Sequence, residues 1–150
     1  MIKRQVVLES ISALLIMLFL YASASKFLDF NRFIGEMNNQ RFPAQITPIV
    51  IWAVPLSEIA IAAALLFEPT RMIGLIASLI LMSLFTIYTA TVLLHFFKYV
   101  PCSCGGVISK LTWKQHLVFN LFFVALSIAG IYIQRQKSFK SIFTTKNSFV

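Results

Sequence analysis

Four apolar stretches, over residues 6–25, 48–67, 72–97 and 113–133, take up most of this 150-residue chain. A transmembrane helix needs about 20 mainly apolar residues, and all four stretches approach or exceed that length. Backbone N–H and C=O groups in hydrocarbon must be hydrogen-bonded within the segment, so each stretch is predicted to be a helix. The chain is 59% hydrophobic and only 12% charged, which places it outside the soluble globular class. The expected fold is all-α: an integral membrane four-helix bundle forming a single domain over residues 1–150. Residues 134–150 follow as a polar, basic tail that is expected to be mobile.

The net charge of +8 would suggest nucleic acid in a soluble protein. Here Lys and Arg flank apolar spans, where they meet anionic headgroups, so lipid is the expected partner and nucleic acid is not. Lys3 and Arg4 before an apolar run, with Ala22-Ser23-Ala24 after it, resemble a signal peptide. Glu9 interrupts the run and the run is long enough to span, so a retained first helix is the favoured reading.

The connections differ in kind. After the first span, Phe27, Phe30, Phe33, Ile34 and Met37 recur at helical spacing around Arg32 and Glu36. They predict a short amphipathic helix at the interface, ended near Arg41-Phe42-Pro43. Pro48 suits the first turn of the second span, where a missing N–H costs nothing. The four residues Glu68-Pro69-Thr70-Arg71 make the second and third spans an antiparallel pair. Pro101 disfavours helical geometry at Val100 and should end the third span there. Thr112 and Gln115 have the spacing of a capping box at the start of the fourth. Trp52, Tyr99 and Trp113 then share one face, as an interfacial aromatic belt would.

Four spans put both termini on one side. That side and its short loop carry seven of the Lys and Arg residues, the other side six, so charge does not set the orientation.

The third connection holds the two cysteines, in Cys102-Ser103-Cys104-Gly105-Gly106. A disulfide wants a Cα separation of about 4.4–6.8 Å, so this pair closes only in a tightly curled loop. Exposed, strained disulfides are the labile, regulatory or catalytic ones. Lys98, Lys110 and Lys114 surround the pair with positive charge, which favours the thiolate. His95 and His116 flank it and are candidate proton acceptors. The bland alternative is a disulfide that pins the loop, though so small a ring constrains little of the unfolded chain. His95, Cys102, Cys104 and His116 could also offer two nitrogens and two sulfurs to zinc or copper(I), but their spacing is not a zinc-finger pattern, and no metal site is assigned. Disulfides persist outside the cytosol, so the cysteine loop is placed in the periplasm and both termini in the cytoplasm, with the bacterial inner membrane as location.

Glu58 falls near the middle of the second span, where an ionisable group is costly and is by default a functional candidate. It is either a proton-handling group beside a quinone or a protonated acid hydrogen-bonded inside the bundle. Pro55, one turn earlier, frees a carbonyl nearby. Lys26 and Asp29, three apart, are expected to form a local ion pair on the helix surface. Thr86, Tyr88, Thr89, Thr91 and Asn120 make two of the spans polar, either for interhelical hydrogen bonds or as a lining for a cofactor head.

Taken in order, several segments resemble the MauE/DoxX-like family of small four-helix membrane proteins. They are Tyr21–Phe30, Trp52-Ala53-Val54-Pro55-Leu56-Ser57-Glu58, Arg71-Met72-Ile73-Gly74, Phe85-Thr86-Ile87-Tyr88, Pro101–Gly106, and Trp113 with His116 and Asn120. The likeness spans residues 6–133. It implies an association with redox chemistry: maturation of a disulfide-rich periplasmic enzyme subunit, or quinone-dependent and thiol-related oxidoreductase complexes. Cys102 and Cys104 match the family's cysteine motif. Lys26, Asp29 and Glu58 match polar positions of its pattern, but the likeness gives them no role.

The reading is thiol–disulfide exchange through Cys102 and Cys104 with a periplasmic or membrane protein partner. His116 and His95 serve as proton acceptors, and electrons pass to a partner or to a quinone near Glu58. The rival is a non-catalytic subunit or assembly factor for a redox or secreted-protein complex. A transporter built on Glu58 is a third class, more plausible in an oligomer.

Overall fold

The computed structural model describes residues 2–39, 43, 45–94 and 112–147, with residues 2, 113 and 137–147 described by backbone alone. Five helices follow one another: α1 (Ile2–Leu28), α2 (Phe30–Asn38), α3 (Thr47–Leu66), α4 (Arg71–Leu93) and α5 (Trp113–Asn147). Four of them are long and apolar enough to cross a membrane, and α2 is the short amphipathic helix expected after the first span. Two boundaries move. The helix of the third span ends at Leu93, and α5 runs as helix through the basic segment after Ile133 to Asn147.

The long helices pack as a ring. α4 lies against α5 and α3, and α1 closes the ring against α3 and α5. Neighbours run antiparallel, as the short α3–α4 turn requires. Thr70 Oγ1 donates to the Ala64 carbonyl at 2.8 Å, satisfying one acceptor left open at the end of α3. At the start of α5 the capping box forms as spaced. The Thr112 N–H donates to Gln115 Oε1 at 3.0 Å, and the Gln115 N–H donates to Thr112 Oγ1 at 3.4 Å.

Each span buries one stripe. On α1 it runs through Leu8, Ile11, Leu15, Phe19, Ala22 and Lys26 at steps of three and four. On α3 it runs through Ile51, Pro55, Glu58, Ile61 and Leu65. Lipid is as apolar as leucine, so contact between these stripes rests on close packing more than on exclusion of water. Glycines provide that closeness at one end of the ring. A Cβ on Gly74 would lie 2.9 Å from the Leu65 backbone nitrogen, and one on Gly130 would lie 2.8 Å from Leu75 Cδ2. Ser12, Ser78 and Ser127 are buried in the same region and donate to carbonyls of their own helices, so they are small without being unsatisfied.

Candidate functional site

At the end of the ring where α1 and α4 finish and α3 and α5 begin, the buried stripes turn polar. The Lys26 ammonium reaches from the last turn of α1 into the bundle. It donates to Glu58 Oε1 at 2.8 Å, to Glu58 Oε2 at 3.1 Å and to the Ala22 carbonyl at 3.1 Å. Three donors thus meet three acceptors, and the pair is well made. Both side chains are removed from solvent: Lys26 is 4% exposed and Glu58 0%. The expected surface pairing of Lys26 with Asp29 is overturned. Lys26 continues the buried α1 stripe, whereas Asp29 is exposed between α1 and α2. The reason is the single carboxylate on the facing α3 stripe, which in an apolar bundle needs a counter-charge.

Around the pair, α5 contributes His116 and Asn120, both buried. Asn120 Nδ2 donates across to Thr89 Oγ1 at 3.3 Å, so the polar residues of α4 and α5 make the interhelical bond anticipated for them. Thr89, Thr86 and Thr91 also donate to carbonyls of α4 itself. The short helix α2 lies over this end. Phe33 is its buried residue, and Phe30 packs on Trp52 of α3 with ring centroids 5.2 Å apart.

Between these groups lies a partly enclosed cavity of about 70 Å³, lined by Lys26, Glu58, His116 and Asn120 with Phe19, Phe33 and Phe119 among its apolar walls. It has room for about two waters, and the polar groups supply the partners that buried water needs. It is under half of the roughly 150 Å³ of a cavity that accepts a benzene ring. The Glu58 carboxylate that the sequence marks as a candidate is held by Lys26.

His95, Cys102 and Cys104 lie outside the described residues, as do Tyr99 and the side chain of Trp113. The two residues that bracket the cysteine-bearing segment, Leu94 and Thr112, stand at the end of α4 and just before the start of α5. Of the proposed proton acceptors, His116 faces the cavity, four residues into the segment that follows Thr112. Among the described residues, no group of three or more His, Cys, Asp and Glu side chains could hold a metal ion.

Lys26 was the residue whose partner the sequence misassigned. The signal lay in the α1 stripe itself: 8, 11, 15, 19, 22 and 26 share one face, and 29 leaves it in the break before α2.

No curated protein and no solved structure matches this chain. A family model described as "Methylamine utilisation protein MauE" matches residues 4–133. That match takes in all four spans, the Lys26–Glu58 pair and the cysteine motif, and the chain belongs to the MauE family of membrane proteins.

Proposed function

We propose that this protein is a thiol–disulfide exchange component of the bacterial inner membrane, acting through Cys102 and Cys104 on the periplasmic side. What supports the reading is the sequence: the Cys102-Ser103-Cys104-Gly105-Gly106 motif falls between the end of α4 and the start of α5, in a chain of the MauE family. A thiolate of a reduced partner attacks one sulfur of the Cys102–Cys104 disulfide and forms a mixed disulfide. The partner's second thiolate then displaces that sulfur. The partner leaves oxidised, and both cysteines of this chain are reduced. A disulfide-bearing second protein reoxidises the pair by the same exchange in reverse. The alternative electron acceptor is a quinone near Glu58; the exchange written here needs only a second disulfide. The test is capture: a Cys104→Ser or Cys102→Ser chain should trap a mixed disulfide with a partner protein, released by reductant. If neither variant traps one and both support normal function, the chemistry is not in these cysteines.

A second reading, a non-catalytic assembly subunit, is favoured by the outer surface of the same end. Phe27, Phe30 and Trp52 form a contiguous aromatic cluster, and Phe27 and Trp52 are well exposed. Aromatic clusters of this kind suit lipid interfaces and docking surfaces alike. Normal function of the Cys102→Ser, Cys104→Ser double variant, with loss of function in Trp52→Ala, would favour it.

A further inference from the structure

We propose that the Lys26–Glu58 pair is a proton-exchange site, and that the cavity beside it binds the waters that deliver the proton. The proposal deepens the thiol reading by naming where a proton released at that end of the bundle can go, but its geometry stands without the cysteines.

A merely structural ion pair in an apolar bundle would be packed on all sides, since its desolvation cost is offset only by contact and hydrogen bonding. Here the pair borders a void. Three further observations bear on the use of that void. Lys26 and Glu58 both line the cavity and both are buried from bulk solvent, so a water held there is within reach of the pair. Glu58 Oε1 is already at 2.8 Å from Lys26 Nζ, the short distance at which a proton can pass. The His116 side chain lines the same cavity and has no hydrogen-bond partner among the described residues, so it is available to a water.

Among the described residues, few charged or titratable groups face the pair. Glu36 lines the cavity from α2 and is itself paired with Arg32 at 2.9 Å; His116 lines it from α5; α4 offers Met82 and Phe85, which do not titrate. The relay follows from this arrangement. Lys26 hands a proton to Glu58 Oε1, forming the O–H bond as its own N–H bond breaks. A cavity water then returns a proton to Lys26 and draws one in turn from the His116 side. One proton enters, no electron moves, and Lys26 is left as an ammonium without its carboxylate partner.

The chain has four glutamates, Glu9, Glu36, Glu58 and Glu68. A full-length E9Q, E36Q, E68Q chain grown on carboxyl-labelled glutamate therefore carries Glu58 as its one labelled side-chain acid. Infrared titration of this chain in lipid nanodiscs reads the site directly and does not depend on an E58Q protein folding. The expected result is a labelled C=O stretch that appears reversibly on acidification and shifts promptly in D2O. It should also persist when Cys102 and Cys104 are both replaced by Ser. A labelled carboxylate that never protonates while the protein stays folded, or a C=O stretch that resists D2O for hours, overturns the proposal and leaves a static ion pair. Failure to trap a mixed disulfide, by contrast, would remove the thiol reading and leave this titration unchanged.

Discussion

The two ends of the helix ring each bury a cation, and they do so in opposite ways. At the end bearing α2, Lys26 has all three protons on acceptors and borders a cavity. At the other end, Arg71 is 7% exposed, its nearest carboxylate oxygen is on Glu68 at 3.9 Å, and its Nε and Nη1 have no hydrogen bond among the described residues. That end is also where a methyl group on Gly74 would meet the backbone of Leu65 and one on Gly130 would press on the side chains of Leu75 and Ile11. One end is tightly packed with a loosely satisfied charge. The other is loosely packed with a fully satisfied one. Packing holds the first end together, and electrostatics together with the α2 cover holds the second. Space for water, and hence for chemistry, is found at the second.

The largest break in this comparison is removal of one member of the pair. Lys26→Met or Glu58→Gln leaves a buried partner uncompensated and should cost about 3–5 kcal/mol, read as a drop in the thermal midpoint of detergent-solubilised protein. The double replacement by Met should recover most of that loss or exceed wild type, because a well-packed apolar pair is often as stable as a buried ion pair. A double variant as unstable as the worse single one would show that the pair is not what holds this end. Next, Phe33→Ala should cost about 3 kcal/mol by opening the cavity from the α2 side. It should also expose Lys26 to amine-reactive probes that leave it unlabelled in the wild type. Equal labelling in both would mean that α2 is not a cover.

At the packed end the sign of the test is reversed, because added volume should hurt. Gly74→Ala should cost about 1–3 kcal/mol, since its new methyl meets the backbone of Leu65. Gly130→Ala should cost less, about 1 kcal/mol, because the end of the Leu75 side chain can give way. Thermal midpoints of the two variants should fall in that order. The smallest effect is expected from Arg71→Met. Taking away buried N–H groups that lack partners should leave stability within about 1 kcal/mol of wild type or raise it slightly. A large loss there would mean that the guanidinium is held by a group not identified among its neighbours.

Much of this architecture is legible in the chain. Continuous apolarity fixes the spans, because a bilayer leaves the backbone no alternative to helix. Phe30, Phe33 and Met37 announce α2 by spacing, and Thr112 with Gln115 announce the start of α5 by chemistry. The pairing of Lys26 was misread because i,i+3 proximity along a helix is visible in one sequence, whereas contact between residues 26 and 58 depends on which faces meet. Arg71 was read only as a flanking charge for a similar reason: it is buried in the folded bundle, which no local pattern records. The extension of α5 through its basic segment also escaped. Lys and Arg lower the apolarity that marks a span, yet they are good helix formers. The Glu58 position was marked as consequential by its depth alone, but its partner and the cavity beside it emerge only when four stripes converge.

The most direct test of the central claim is the thiol state in intact cells, trapped by rapid quenching and read with a membrane-impermeant thiol reagent before and after reduction. The account predicts that Cys102 and Cys104 resist the reagent as isolated and label from outside once reduced, as a periplasmic disulfide must. Two free thiols that label only after the membrane is opened would contradict both the orientation and the exchange chemistry proposed for this protein.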